Sequence, residues 1–197
     1  MNKELYLLRH GATSMNGLYV GSTDIPLAEK GRAQVCEAGR ILQSAGIERI
    51  FCSPMKRCIE TLGLLKLDIL CELNDNLKEI NFGRWEGLSF PQINETDPEL
   101  IEDWRTACES FCFPDGECIK TFNRRIETSA STVLDSAEKR ILIIAHGGTI
   151  RRLLTLFLGL KPDQGSIFTI QPGRFSTVTL YNELGTLTGL NLGGQPG

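Results

Sequence analysis

Three stretches of this chain are apolar almost without interruption: Leu5-Tyr6-Leu7-Leu8, Arg49 to Cys52, and Arg140 to Ala145. Runs this short, bounded by turn residues, predict strands buried on both faces, as in a parallel sheet covered by helices. Between them the apolar positions space out to a helical period. Ala33, Val35, Ala38, Ile41, Leu42 and Ala45 mark a helix from about Glu29 to Ser44, which Gly46 stops. Ser53-Pro54 fits an N-cap followed by proline at the first helical position, opening a helix to about Leu65. Gly116-Glu117 precedes a long helix to about Ser136, and another helix runs from Gly148 to about Leu158. Ile69 to Cys71 reads as a short third strand, and Ile167 to Ile170, Ser176 to Tyr181 and Leu187 to Leu192 as three strands closing the fold. Leu77 to Gly87 is irregular, with charges of both signs. The acidic residues 89–113 read as short helices over one end of the sheet, and Gly193 to Gly197 as a frayed end. Strands alternating with helices predict an α/β fold. It is expected to be a three-layer α/β/α sandwich, with a mostly parallel central sheet, helices on both faces and antiparallel edge strands.

Composition narrows this without changing it. With 197 residues, 41% of them hydrophobic and 23% charged, residues 1–197 are expected to form a single domain. A net charge of −3, without a basic run, speaks against nucleic acid or an anionic membrane as partner. No signal-like leader precedes the first strand, so a cytoplasmic location is expected. The seven cysteines are then expected to be reduced thiols, buried or half-buried. Cys108, Cys112 and Cys118 raise a metal or redox question, but their spacing matches no common zinc pattern, and no metal is expected.

The chemistry concentrates at strand ends. The chain has two histidines, His10 and His146, and each follows an apolar run and precedes a glycine-rich turn. In an open α/β sheet that is where ligands bind. In Arg9-His10-Gly11-Ala12-Thr13-Ser14-Met15-Asn16, free turn N–H groups can hold an anion. The Arg9 fork suits phosphate or carboxylate oxygens, and Thr13 and Asn16 add neutral donors. Arg57 sits in the first turn of the helix after Ser53-Pro54, where a cation opposes the helix dipole; this hints at a compensating anion, although a solvated arginine is the plainer reading. Glu79 and Glu86 stand among apolar side chains. A carboxyl group partly desolvated there has its pKa raised and can serve as general acid and then base, while a surface ion pair is the bland alternative. Arg151 and Arg152, one turn beyond His146, are expected to point elsewhere.

Taken together, these blocks resemble the histidine phosphatase superfamily, which also includes cofactor-dependent phosphoglycerate mutases. The match runs in order through Arg9-His10-Gly11 with Asn16, Leu27 with Gly31 and Gln34, Ser53-Pro54 with Arg57, Glu79 with Gly83, Trp85, Glu86 and Gly87, Pro114-Asp115-Gly116-Glu117, and His146-Gly147-Gly148. The resemblance implies that His10 is the nucleophile that becomes phosphohistidine. Arg9, Arg57 and His146 would clamp the phosphoryl oxygens, with Asn16 as a further donor. Glu79 would protonate the leaving oxygen and then activate water. Thr13, Gly21 and Gly147 complete the expected phosphate-binding set, and no cofactor is implied. Ala12 departs from the acidic residue often found after Arg-His-Gly, which puts the treatment of charged substrates at the entrance in doubt.

The short span between Glu79 and His146 leaves little room for the segments that cover a mutase site, so a phosphatase is expected. The chain looks most like the α-ribazole phosphatases of cobalamin nucleotide-loop assembly. Sugar phosphatases, phosphoserine phosphatases and, from another class, an inactive module that binds a phospho-ligand remain alternatives. The partner is expected to be a small-molecule phosphate ester, with a homodimer left open. Substrate choice would lie in residues 89–113, where Trp104 or Phe111 could stack on a ring, although a core role is the plainer reading of both.

Overall fold

The computed structural model describes residues 2–182 and 184–194. Its centre is a six-stranded sheet in the order β3-β2-β4-β1-β5-β6. The strands are β1 (Asn2–Arg9), β2 (Arg49–Cys52), β3 (Cys71–Leu73), β4 (Arg140–Ala145), β5 (Phe175–Tyr181) and β6 (Leu184–Leu192). The first four run parallel to one another, while β5 is antiparallel to β1 and β6 is antiparallel to β5.

The apolar runs are continuous because both faces of these strands are covered. Leu5, Leu7, Ile141 and Ile143 point to one face, against α5 (Ile119–Asp135) and α6 (Gly147–Phe157). Tyr6, Leu8, Leu142 and Ile144 point to the other, against α1 (Glu29–Leu42) and α2 (Lys56–Leu65). The expected α/β architecture with a mostly parallel sheet is therefore present. Two short helices, α3 (Phe90–Thr96) and α4 (Pro98–Thr106), lie in the acidic segment. They bring Ile93 and Trp104 onto an aromatic cluster formed by Trp85, Phe111 and Phe113.

Several expectations are corrected. Ile167 to Ile170 is not a strand: Pro162–Ile167 is a 3-10 turn, and only two strands close the sheet. Burial does alternate here as it would along a strand, since Phe168 and Ile170 are buried and Ile167 is exposed. The carbonyls, however, are occupied by side chains. Phe168 O accepts from Arg151 Nε at 2.9 Å, Thr169 O from Asn191 Nδ2 at 2.6 Å, and Ile170 O from Arg9 Nη1 at 2.6 Å. Ser53 does not cap α2 either; Met55 holds the N-cap position and the helix starts at Lys56, whose N–H is taken by Asp24 Oδ1 at 2.7 Å. The third strand lies two residues later than expected, at Cys71–Leu73.

The thiols are not all reduced, because Cys112 and Cys118 form a disulfide. They face each other across an antiparallel bridge. The flanking pairs are hydrogen-bonded, Phe113 N to Glu117 O and Ile119 N to Phe111 O. The cysteines therefore occupy the narrow pair between them, where side chains come closest. Cys52 and Cys58 are buried, Cys71 is half-buried and Cys36 is exposed. The Cys108 side chain and residues 195–197 of the expected frayed end lie outside the described set.

Candidate active site

The sheet register explains why the two histidines meet. Arg9 on β1 pairs with Ala145 on β4, so the next residue of each strand, His10 and His146, leaves the sheet at the same level. The backbone bond from His10 N to Ala145 O, 3.0 Å, holds that exit, and the two ring centroids lie 5.1 Å apart. Cys52 on β2 pairs with Ile144, which brings Ser53 beside His146 from the other side. β1 is also where the parallel part of the sheet meets the antiparallel β5, so the site occupies the crevice at that change of direction.

Each imidazole has a defined proton position. His10 Nδ1 lies 2.8 Å from Gly11 O, an acceptor only, so Nδ1 carries the hydrogen and Nε2 keeps its lone pair. Burial pushes the His10 pKa well below 6.5, and the Arg9 and Arg57 cations push it in the same direction. His146 is fully buried. Its Nδ1 accepts from Arg57 Nε at 3.1 Å, so Nε2 carries the hydrogen and donates to Ser53 Oγ at 2.8 Å. Burial, then His10, Arg57 and Arg9, hold His146 well below its ordinary value too. Both rings are neutral near pH 7.

Arg9 and Arg57 flank this pair, and a third arginine, Arg151, stands in the adjoining cleft. Arg9 Nη1 is anchored on Ile170 O, while Arg9 Nε is buried without a hydrogen-bond partner among the described residues. A buried donor left unpaired is costly and marks a place where an acceptor is wanted. Arg57 is 1% exposed, its Nη1 donating to Thr23 O at 2.9 Å and its Nη2 to Gly21 O at 2.8 Å. Arg151 is anchored through Nε on Phe168 O and lines the adjoining cleft, contrary to the expectation that it points elsewhere. Arg152 does point elsewhere, into an ion pair with Glu127 at 2.6 Å. The stretch that looked like a strand is thus the carbonyl anchor for two of the site's arginines.

Glu79 faces these cations from the N-terminus of α6. Its Oε2 accepts from Gly148 N at 2.8 Å and its Oε1 from Ile80 N at 3.1 Å. A Cβ at position 148 would lie 2.6 Å from Glu79 Oε1, so only glycine lets the carboxylate come this close. The backbone beneath Glu79 is fixed by Arg125, which donates to Lys78 O at 2.6 Å and Glu79 O at 3.0 Å and pairs with Glu117 at 2.8 Å. Nothing in the order of residues marks Arg125 for this task; it lies in the middle of a long helix.

Arg9, His10, Thr13, Asn16, Arg57 and Glu79 line one small cavity of about 60 Å³. Gly147 lies against the Arg9 guanidinium. Gly21 is not an anion donor: its N–H is bonded to Glu86 Oε1 at 2.9 Å and its carbonyl holds Arg57. The N–H groups of the His10 turn are also taken, His10 N by Ala145 O, Gly11 N by Thr61 Oγ1 at 3.3 Å and Ala12 N by Gln34 Oε1 at 3.0 Å. Residues 10–12 therefore present no free N–H to an anion.

Glu86 is corrected as well. Burial alone would raise its carboxyl. Hydrogen bonds from the Thr23 hydroxyl and the N–H groups of Ser22, Phe82 and Thr23 outweigh burial and hold it below the ordinary carboxylate value.

Next to the small cavity opens a cleft of about 400 Å³, walled by Tyr19, Phe82, Trp104, Phe113 and Phe122 and reaching Arg9, Glu79 and Arg151. Phe111 is a core residue stacked on Trp85, with centroids 5.9 Å apart. Trp104, half-buried, is part of the cleft wall.

A family model described as the histidine phosphatase superfamily, branch 1, matches residues 5–193. An acid phosphatase of Mycobacterium tuberculosis is 30% identical over 99% of this chain and 95% of its own length. An adenosylcobalamin/alpha-ribazole phosphatase of Salmonella typhimurium is 29% identical over 95% of each chain. Among solved structures, the alpha-ribazole phosphatase from Shigella flexneri superposes with a TM-score of 0.87 at 26% identity, covering 96% of each chain.

Proposed function

Because the chain belongs to the histidine phosphatase superfamily and is a phosphoric monoester hydrolase, we propose that it works through a phosphohistidine on His10, without a metal ion. The observation that carries this reading is the His10 Nδ1 bond to Gly11 O. It leaves Nε2 as an unprotonated nitrogen on a ring that lines a cavity shared with two arginines and one carboxyl group. The Nε2 lone pair forms the bond to phosphorus as the bond to the ester oxygen breaks, and that oxygen takes its proton from Glu79. Glu79, now a carboxylate, removes a proton from water as the water attacks phosphorus, and the N–P bond breaks to return neutral His10 and inorganic phosphate. Arg9, whose Nε has no partner among the described residues, and Arg57, whose Nε is bonded to His146 Nδ1, neutralise charge on the phosphoryl oxygens, with Asn16 and Thr13 as neutral donors at the rim.

For the substrate we infer α-ribazole 5′-phosphate, or the phosphorylated adenosylcobalamin product of the same assembly step. Two observations support it: the relatives named for that activity, and an aromatic-walled cleft suited to a leaving group that carries a flat ring. A broader phosphomonoesterase is the second reading, favoured by the similarity to an acid phosphatase.

The test is phosphate release by the pure protein, with chelator present, from α-ribazole 5′-phosphate, 3-phosphoglycerate, phosphoserine, sugar phosphates and p-nitrophenyl phosphate. His10→Ala serves as the control. A preference for α-ribazole 5′-phosphate that disappears with His10→Ala supports the specific reading. Comparable slow turnover of every ester supports the broader one. Turnover that survives His10→Ala refutes the nucleophile.

A further inference from the structure

Glu86 has no place in the catalytic scheme above, yet its carboxylate collects more hydrogen bonds than any other near the site. It accepts from Gly21 N at 2.9 Å, Ser22 N at 2.9 Å, Thr23 N at 3.2 Å, Thr23 Oγ1 at 2.6 Å and Phe82 N at 3.2 Å. The opposite side of the same short loop faces Arg57. Gly21 O and Thr23 O each accept from one arm of the guanidinium, at 2.8 and 2.9 Å.

One peptide unit makes the connection explicit. The plane joining Gly21 to Ser22 gives its N–H to Glu86 Oε1 and its C=O to Arg57 Nη2. It is held between an anion and a cation with its dipole along the line from one to the other. Each charge polarises that peptide in the direction that strengthens the other's hydrogen bond. The loop can lie this low only because residue 21 is glycine. A Cβ there would sit 1.7 Å from Ile80 O and 2.9 Å from Glu86 Oε1. Arg57 in turn passes its Nε–H to His146 Nδ1, and His146 ends on Ser53.

We propose that Glu86 is a positioning residue for the phosphoryl site: through the Gly21–Thr23 loop it sets the angle of the Arg57 fork, and through Arg57 it fixes the ring of His146. The proposal rests on the reading of Arg57 as a phosphoryl ligand. Glu86 lines neither the small cavity nor the cleft, whereas Glu79 lines both, so Glu86 neither touches the substrate nor donates a proton to it. The pairing also explains how Arg57 stays buried with no carboxylate among the described residues bonded to it: the compensating charge lies one peptide away.

The experiment is a double-mutant cycle on the full chain with Glu86→Gln and Arg57→Lys, reading kcat/KM and the affinity for inorganic phosphate. Glutamine keeps the size but turns an amide N–H₂ toward N–H donors. The expected result for Glu86→Gln is a loss of about 10- to 100-fold in both quantities. In the Arg57→Lys background the same change should cost no more than about threefold. The amide ¹⁵N and imidazole signals of His146 should shift in Glu86→Gln without loss of folded structure. Should Glu86→Gln fail to fold, Thr23→Val removes one of the five donors and is expected to give a smaller loss with the same non-additivity. Unchanged phosphate affinity in Glu86→Gln, or an equal loss with and without Arg57, overturns the proposal and leaves Glu86 as loop scaffolding. If Arg57→Lys alone changes neither quantity, the reading of Arg57 itself has failed, and this proposal falls with it.

Discussion

Acid should destabilise this protein through its two histidines. They are the only histidines in the sequence, and His10 and His146 are 7% and 0% exposed. Burial and neighbouring arginines hold both pKa values well below 6.5 in the folded state, while in the unfolded chain they return to about 6.5. Below that pH the unfolded state binds more protons than the folded one, so stability must rise with pH and fall as acid is added. The contribution is complete above about pH 6.5 and is lost as pH drops from there toward the folded values. At about pH 5.5 each histidine costs on the order of 1 kcal/mol, so the pair removes roughly 2–3 kcal/mol relative to about pH 7.5. That is a large share of a typical stability of about 5–15 kcal/mol. Carboxylates held low, such as Glu86, contribute with the same sign but only below the ordinary Glu value of 4.5, so the window separates them.

The assay is urea unfolding at a series of pH values between about 7.5 and 5.5 at constant ionic strength. His10→Gln should remove about half of the loss, and His10→Gln with His146→Gln nearly all of it. A free energy of unfolding that stays flat across the window would refute the claim that both rings are buried and neutral. So would an undiminished slope in the double variant, since some other group would then be titrating.

Three further outcomes are expected. Glu79→Gln should slow turnover of alkyl phosphates by about 10²- to 10⁴-fold and of p-nitrophenyl phosphate much less, because that leaving group needs little protonation; equal losses on the two esters would remove Glu79 as the acid. Trp104→Ala should raise KM for a ring-bearing ester by about 3- to 10-fold and leave phosphoserine unchanged, as measured in steady-state kinetics. Loss of the Cys112–Cys118 bridge, by reductant or by Cys118→Ser, should cost about 2 kcal/mol in the urea midpoint, as befits a loop with a sequence separation of only 6.

Much of the site was legible in the order of residues, because its chemistry sits where strands end. Two histidines at two strand ends, with an arginine before one of them, needed only the parallel pairing of β1 and β4 to become neighbours. Ile167 to Ile170 misled because a short apolar stretch records which side chains are buried, not what the carbonyls bond to. Ser53-Pro54 carries an N-cap pattern, yet its hydroxyl serves a histidine far along the chain. Glu86 read as a candidate acid from its apolar neighbours, and its five donors come mostly from a loop remote in sequence.

The sequence by itself determined the α/β layering, the two strand-end histidines and the residue types of the candidate site. Local periodicity and turn chemistry act over a few residues and survive without knowledge of the rest. Only the tertiary structure decided the protonation pattern of His10 and His146, the carbonyls that anchor Arg9 and Arg151, the disulfide partner of Cys112 and the loop that joins Glu86 to Arg57. Each of these is a hydrogen bond or covalent contact between groups set opposite each other by the folded chain, and burial, which fixes both charge and proton position, exists only once the layers have closed.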